Sequence, residues 1–88
     1  MTKNQLIHVI SEETGLPLKD VRLVFETCFS HIEREVSGGN RVTLSGFGTF
    51  EAIRRTVSFH RDGIIHKKQT VIPVFHAGEQ LKRICRRE

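Results

Sequence analysis

The stretch Arg41-Val-Thr-Leu-Ser-Gly-Phe-Gly-Thr-Phe-Glu51 decides the fold. Val42 and Leu44 alternate with polar neighbours, as in a half-buried strand, and a tight Gly-Phe-Gly turn at 46–48 leads into a second strand-like run. That run, Thr49 to His60, opens with Phe50 and Ala52; farther out, Val57 and Phe59 alternate with Thr56, Ser58 and His60. The period of two persists while the apolar content thins, so the outer part has too little apolar surface to bury itself. Arg61-Asp62-Gly63-Ile64 then carries the Asp-Gly pair that supplies positive φ for a primed hairpin turn. The return strand is expected to run antiparallel from Ile64 to Val71, with Arg61 opposite Ile64 and Phe59 opposite His66. Pro73, which has no N–H to give a ladder, is expected to break it.

Upstream, the spacing predicts two helices. Thr2 and Gln5 stand three apart, as in a capping box, which starts a helix at Lys3 with Leu6, Ile7 and Ile10 on one face. Gly15 is placed to end it in a left-handed cap. Pro17 sits near the next first turn, where a missing N–H costs nothing. Val21, Val24, Phe25, Cys28, Phe29, Ile32 and Val36 trace a wide apolar stripe along a second helix, closed by Ser37-Gly38-Gly39-Asn40. Downstream, Gly78 to Arg87 reads as a short helix with Leu81, Ile84 and Cys85 inward and Lys82, Arg83, Arg86 and Arg87 outward. The fold class is α+β: an N-terminal helical hairpin, an antiparallel sheet with an extended β-arm, and a short C-terminal helix.

Charge is distributed unevenly over this plan. Residues 54–87 hold nine Lys/Arg against two acids, Asp62 and Glu79, a surplus of seven, while the rest of the chain carries five basic and eight acidic residues, leaving the total at +4. A polyanion is the natural partner for the basic end. Eighty-eight residues make one domain, here 1–40 as a helical base, 41–75 as sheet and arm, and 76–88 as the terminal helix. A domain of this size buries only about 60–65% of the surface its unfolded chain exposes, so pairing with a second copy is an economical remedy. Phe29, Phe47, Phe50 and Phe75 are the expected shared core of such a homodimer.

Other chemistry finds little support. Cys28 and Cys85 lie 57 positions apart and form no CxxC; Cys28 falls in the helical stripe as a reduced core residue, and packing is the expected role of Cys85. The five histidines are scattered, and only His60, Asp62 and His66 converge on the hairpin tip, a weak metal signature whose plainer reading is a polar arm. Ser45-Gly46 is no nucleophile elbow and no phosphate-loop Lys is present. Neither catalytic residues nor a metal, cofactor, membrane or small-molecule substrate is implied. The N-terminus has no secretory apolar region, so a cytoplasmic location is expected.

The order helix, helix, strand, Gly-Phe-Gly turn, strand, basic arm, strand, helix resembles the HU/IHF family of bacterial histone-like DNA-architectural proteins. The resemblance rests on Lys3, Leu6-Ile7 and Ile10, Thr14-Gly15-Leu16, Val42-x-Leu44-x-Gly46-Phe47-Gly48-Thr49-Phe50, Arg55, Pro73-Val74-Phe75, Gly78 and Leu81-Lys82, and covers nearly the whole chain. It implies an intertwined homodimer whose helices form a base and whose sheets form a saddle, with two arms clasping the minor groove of double-stranded DNA, in the nucleoid. A heterodimer with a paralogue stays open. One departure is plain. The family's Arg-Asn-Pro-x-Thr-Gly tip is replaced by Phe59-His-Arg-Asp-Gly-Ile-Ile-His66, the arm is about four residues shorter, and kinking by an inserted proline does not carry over. Phe59 and Ile64 are alternative wedges, and packing across the hairpin is their simpler role.

The DNA-binding set is therefore Arg54, Arg55, Arg61, Lys67 and Lys68 on the arm, Lys82, Arg83 and Arg86 on the terminal helix, Lys3, and the backbone at Gly46 and Gly48. Cations that neutralise phosphates release counterions, and Arg enters narrow minor grooves. The glycines let N–H groups approach phosphates, or simply make the turn. The expected function is bending or compaction of DNA with weak sequence preference. Two alternatives are an interaction module whose short arm binds protein or RNA, and a sequence-specific architectural factor.

Overall fold

A computed structural model describes residues 1–86, in the order α1 (Lys3–Thr14), α2 (Leu18–Ser37), β1 (Val42–Leu44), β2 (Gly48–Arg61), β3 (Ile64–Ala77) and α3 (Glu79–Arg86). Arg87, expected on the outer face of the terminal helix, lies outside the described residues. The chain falls into two compact units, Met1–Glu33 and Arg34–Glu88.

In the first unit, α1 starts as its sequence requires. The Gln5 N–H donates to Thr2 Oγ1 at 3.2 Å and the Thr2 N–H donates to Gln5 Oε1 at 2.8 Å, completing the capping box. At the other end Gly15, at φ 73°, donates to the Ser11 carbonyl at 3.0 Å. Pro17 precedes α2 and its carbonyl accepts from Asp20 and Val21, so the proline opens the helix. Each helix buries one apolar side chain, Ile7 on α1 and Val21 on α2, and between the helices Arg22 donates to Asn4 Oδ1 at 2.9 Å.

Ile7 and Val21 are the only buried apolar residues among those described. This corrects the expected placement of Cys28, which is exposed with a free thiol. The apolar stripe of α2 wraps farther round the helix than α1 reaches, leaving Val24 69% and Phe29 41% exposed. Periodicity identifies the apolar face, but coverage depends on what packs there.

In the second unit, α2 ends in a Schellman motif. The Asn40 N–H reaches the Glu35 carbonyl at 2.9 Å, the Gly39 N–H reaches Val36 at 3.0 Å, and Gly39 takes φ 88°. The three-stranded antiparallel sheet has the order β1-β2-β3. The β2–β3 ladder runs without interruption from Gly48 opposite Ala77 to Arg61 opposite Ile64. Pro73 therefore does not break the return strand; it pairs with Ala52. The reason is its place in the sheet. β3 is an edge strand, where alternate residues point their N–H away from the partner, and a proline at such a position removes no ladder bond.

A second correction concerns α3, where Ile84 is 59% exposed and Cys85 is exposed, although both were expected inward. Leu81 alone of that trio is partly covered. An eight-residue helix touching one turn can shield only the side chains of the turn it touches.

Candidate nucleic-acid interface

The connection between β1 and β2 holds α3 in place. The Phe47 N–H returns to the Leu44 carbonyl at 2.9 Å, and Gly46 takes φ 82°, the value a type II turn demands at its third position. From that turn the Phe47 carbonyl accepts the Gly78 N–H at 2.8 Å, and the Gly46 carbonyl accepts the Leu81 N–H at 3.3 Å. A Cβ on Gly78 would stand 3.0 Å from the Gly46 oxygen, so the close approach needs glycine. α3, which carries the exposed Lys82, Arg83 and Arg86, is thereby tied to the exposed turn at Gly46, over which the Gln80 side chain lies. Lys82 also lies 3.7 Å from Glu79, a surface pair of small worth.

Gly48 has a different local role. It is buried, and a Cβ there would run into the Phe75 ring and stand 2.6 Å from the His76 carbonyl. Packing alone thus requires glycine at this position. Around it, Phe75 lies 4.8 Å from Phe50 and 5.6 Å from Phe47 between ring centroids. Phe47 is nonetheless 50% exposed and Phe75 41%, an aromatic cluster that this unit leaves half open. In the other unit Phe29 makes an edge contact with Phe25 at 4.9 Å.

The arm is the outer part of β2 and β3. Asp62 and Gly63 take φ 53° and 76°, the two positive values of a type I′ turn, which sets Arg61 against Ile64 and Phe59 against His66 as their spacing predicts. Phe59 stacks on His66 with centroids 5.2 Å apart and planes 17° from parallel, so this ring packs across the hairpin. Arg54, Arg55, Arg61, Lys67 and Lys68 are all exposed, and none forms an ion pair among the described residues. Five like charges without acidic partners on a two-stranded ribbon produce a strong positive field.

Lys3 belongs to the first unit, on α1, 3.9 Å from Glu26. A cluster missed in the sequence sits on the sheet itself, where Glu51 lies 3.9 Å from Arg41 and 3.2 Å from His76. Extending the β1–β2 register by one step from Val42 opposite Phe50 brings Arg41 to Glu51, and that signal was available. His76, partner of Thr49, required knowing that β3 continues past Pro73. Among the described residues no group of His, Cys, Asp and Glu is placed to hold a metal, and no helix is long and apolar enough to cross a membrane.

A helical hairpin followed by a sheet that extends one basic β-arm, with a short helix hooked to the Gly-Phe-Gly turn, is the architecture of the histone-like arm-bearing proteins. The model of the family described as bacterial DNA-binding protein matches residues 1–86, and the chain belongs to that family. It is 34% identical to DNA-binding protein HU of Clostridium pasteurianum, covering 93% of this chain and 94% of the relative. It is 36% identical to DNA-binding protein HU-1 of Halalkalibacterium halodurans, covering 93% and 96%. Among solved structures it resembles the Anabaena HU-DNA cocrystal structure, with a TM-score of 0.83, 27% identity and 97% of each chain covered.

Proposed function

We propose that this chain is a single-domain, non-enzymatic architectural protein that acts as a homodimer, binds double-stranded DNA with weak sequence preference and bends or compacts it in the nucleoid. The observation that carries this reading is the arm: five exposed cations without acidic partners among the described residues, on a ribbon with almost no core of its own. Such charges gain most when they displace counterions from phosphate. The Anabaena relative's cocrystal with DNA supports the same partner.

In this mechanism Arg54, Arg55, Arg61, Lys67 and Lys68 follow the minor groove. Lys82, Arg83 and Arg86, with the backbone at Gly46, meet phosphates near the arm's root, and Lys3 adds a further phosphate contact; Gly48, buried against Phe75, is left to packing. The half-open rings of Phe29, Phe47 and Phe75, with the partly covered Phe50, are covered by the second copy, which also relieves a chain with only two buried apolar side chains among the described residues. Gel-shift titration of linear, nicked and bent duplexes at two salt concentrations tests the reading. Binding to all three that weakens steeply with salt supports it; salt-independent binding, or none, rejects it.

A further inference from the structure

The sheet has two faces of opposite character. Phe50 stands opposite Phe75, so one face carries the half-open aromatic cluster. Side chains alternate along a strand, which turns Thr49 and Glu51 to the other face, together with Thr43 of β1 and His76 of β3. The 3.3 Å between the hydroxyl oxygens of Thr43 and Thr49 agrees with that shared face. The same alternation continues outward and brings Arg55, Arg61 and Lys68 of the arm to this second face. Glu51 is the sole carboxylate on the three strands, and it stands at the root of the cations. Its side chain is 25% exposed, against 68% for Arg41 and 59% for His76. The His76 Nε2 is at hydrogen-bond distance from it, 3.2 Å, whereas Arg41 stands off at 3.9 Å.

The charge of this cluster turns on one proton. With His76 neutral, Arg41 and Glu51 cancel; with His76 protonated, a surplus of one positive charge is left. We propose that Glu51 is a brake on DNA binding at the sheet and that protonation of His76 releases it. The imidazolium then holds Glu51, and Arg41 is freed to meet a phosphate. Histidine is the side chain whose charge ordinarily changes between about pH 5 and 8. DNA binds the protonated cluster more tightly, so affinity rises as pH falls through that window, and binding takes up a proton. The other groups around His76 do not compete for it. Thr49, its partner on β2, and Thr43 on β1 are uncharged, and Glu79 at the start of α3 is paired with Lys82 at 3.7 Å. This inference rests on the DNA-binding reading and adds a form of regulation to it.

The affinity for a labelled random-sequence duplex is measured by fluorescence anisotropy at about pH 5.5 and about pH 8, at constant ionic strength. His60 and His66 on the arm also gain charge as pH falls, so the cluster's share is the difference between wild type and His76→Gln. That variant keeps an N–H donor for Glu51 but takes up no proton. The ratio of the two affinities should be about fivefold or more larger in wild type than in His76→Gln, as for an ordinary coupling between two bound species. Glu51→Gln, with the brake removed, should bind more tightly than wild type near the upper pH by a similar factor. A ratio in His76→Gln equal to that of wild type, or Glu51→Gln binding no more tightly than wild type near the upper pH, would overturn the inference. Wild type that binds the duplex at neither pH would instead reject the DNA-binding reading, and this inference with it.

Discussion

Gly78 donates its N–H to the carbonyl of Phe47 at 2.8 Å, and this bond, with that of Leu81 to Gly46, ties the basic terminal helix to the turn between β1 and β2. The approach is close enough that a side chain at Gly78 would press on the backbone of Gly46 and Phe47. Gly78→Val should therefore destabilise the protein by about 1–3 kcal/mol, the usual cost of forcing extra methyl groups into a filled space. Because the substitution also displaces Lys82, Arg83 and Arg86, DNA affinity should fall with stability. Thermal melting and gel-shift titration of the same sample check both effects, and an unchanged melting temperature would contradict this account of the hook.

Assembly can be judged from Phe47. Truncating a ring that stays half exposed should cost little, whereas a ring enclosed by a second copy should cost about 3–5 kcal/mol on truncation to Ala. Phe47→Ala is expected to abolish dimerisation or folding, as seen by sedimentation and circular dichroism. A folded wild-type monomer at micromolar concentration would contradict the dimer.

The arm cations should act independently of sequence. Neutralising any one of Arg55, Arg61, Lys67 or Lys68 should weaken binding to all duplexes alike and lower the slope of log affinity against log salt by about one unit. Unchanged affinity after replacing all four would remove the arm from the interface.

The shape of bound duplex provides a separate test. A wedge must offset an unstacking cost of a few kcal/mol per base step, and a short arm closed by a polar Asp62-Gly63 turn is badly placed to do so. Intact DNA should therefore curve smoothly, with a weaker bend than proline-tipped relatives produce. Energy transfer between dyes at the ends of a bound duplex measures this. A sharp kink that disappears in Ile64→Ala, a residue 60% exposed beside the turn, would show that an apolar side chain does the wedging instead.

The features legible in the sequence are those set by a few adjacent residues. Thr2 with Gln5, Gly15, and Asp62-Gly63 each specify a backbone conformation locally, and the structure has each as expected. The hairpin register followed, because a two-residue turn leaves one pairing. Pro73 was misjudged because its effect depends on which side of β3 is open, a property of the sheet and not of the segment. Cys28, Ile84 and Cys85 were misjudged for a related reason: a helical period tells which side chains share a face and says nothing of whether the chain can roof that face. For the candidate site, the charge surplus located the arm. The Glu51 cluster emerged only with the pairing of β2 on both its sides.

The arm's two open edges have a further consequence. Beyond Phe50, β2 has no strand on its outer side among the described residues, and β3 has none along its whole length. Long unpaired edges invite neighbouring molecules to add their own strands, and lysines and arginines on such ribbons discourage this through mutual repulsion. The residues assigned to phosphate contact would then also keep the protein dispersed when no DNA is at hand. Variants that erase the charges should be sparingly soluble as well as weak binders, and DNA itself, by occupying the ribbon, should protect the protein from its own kind.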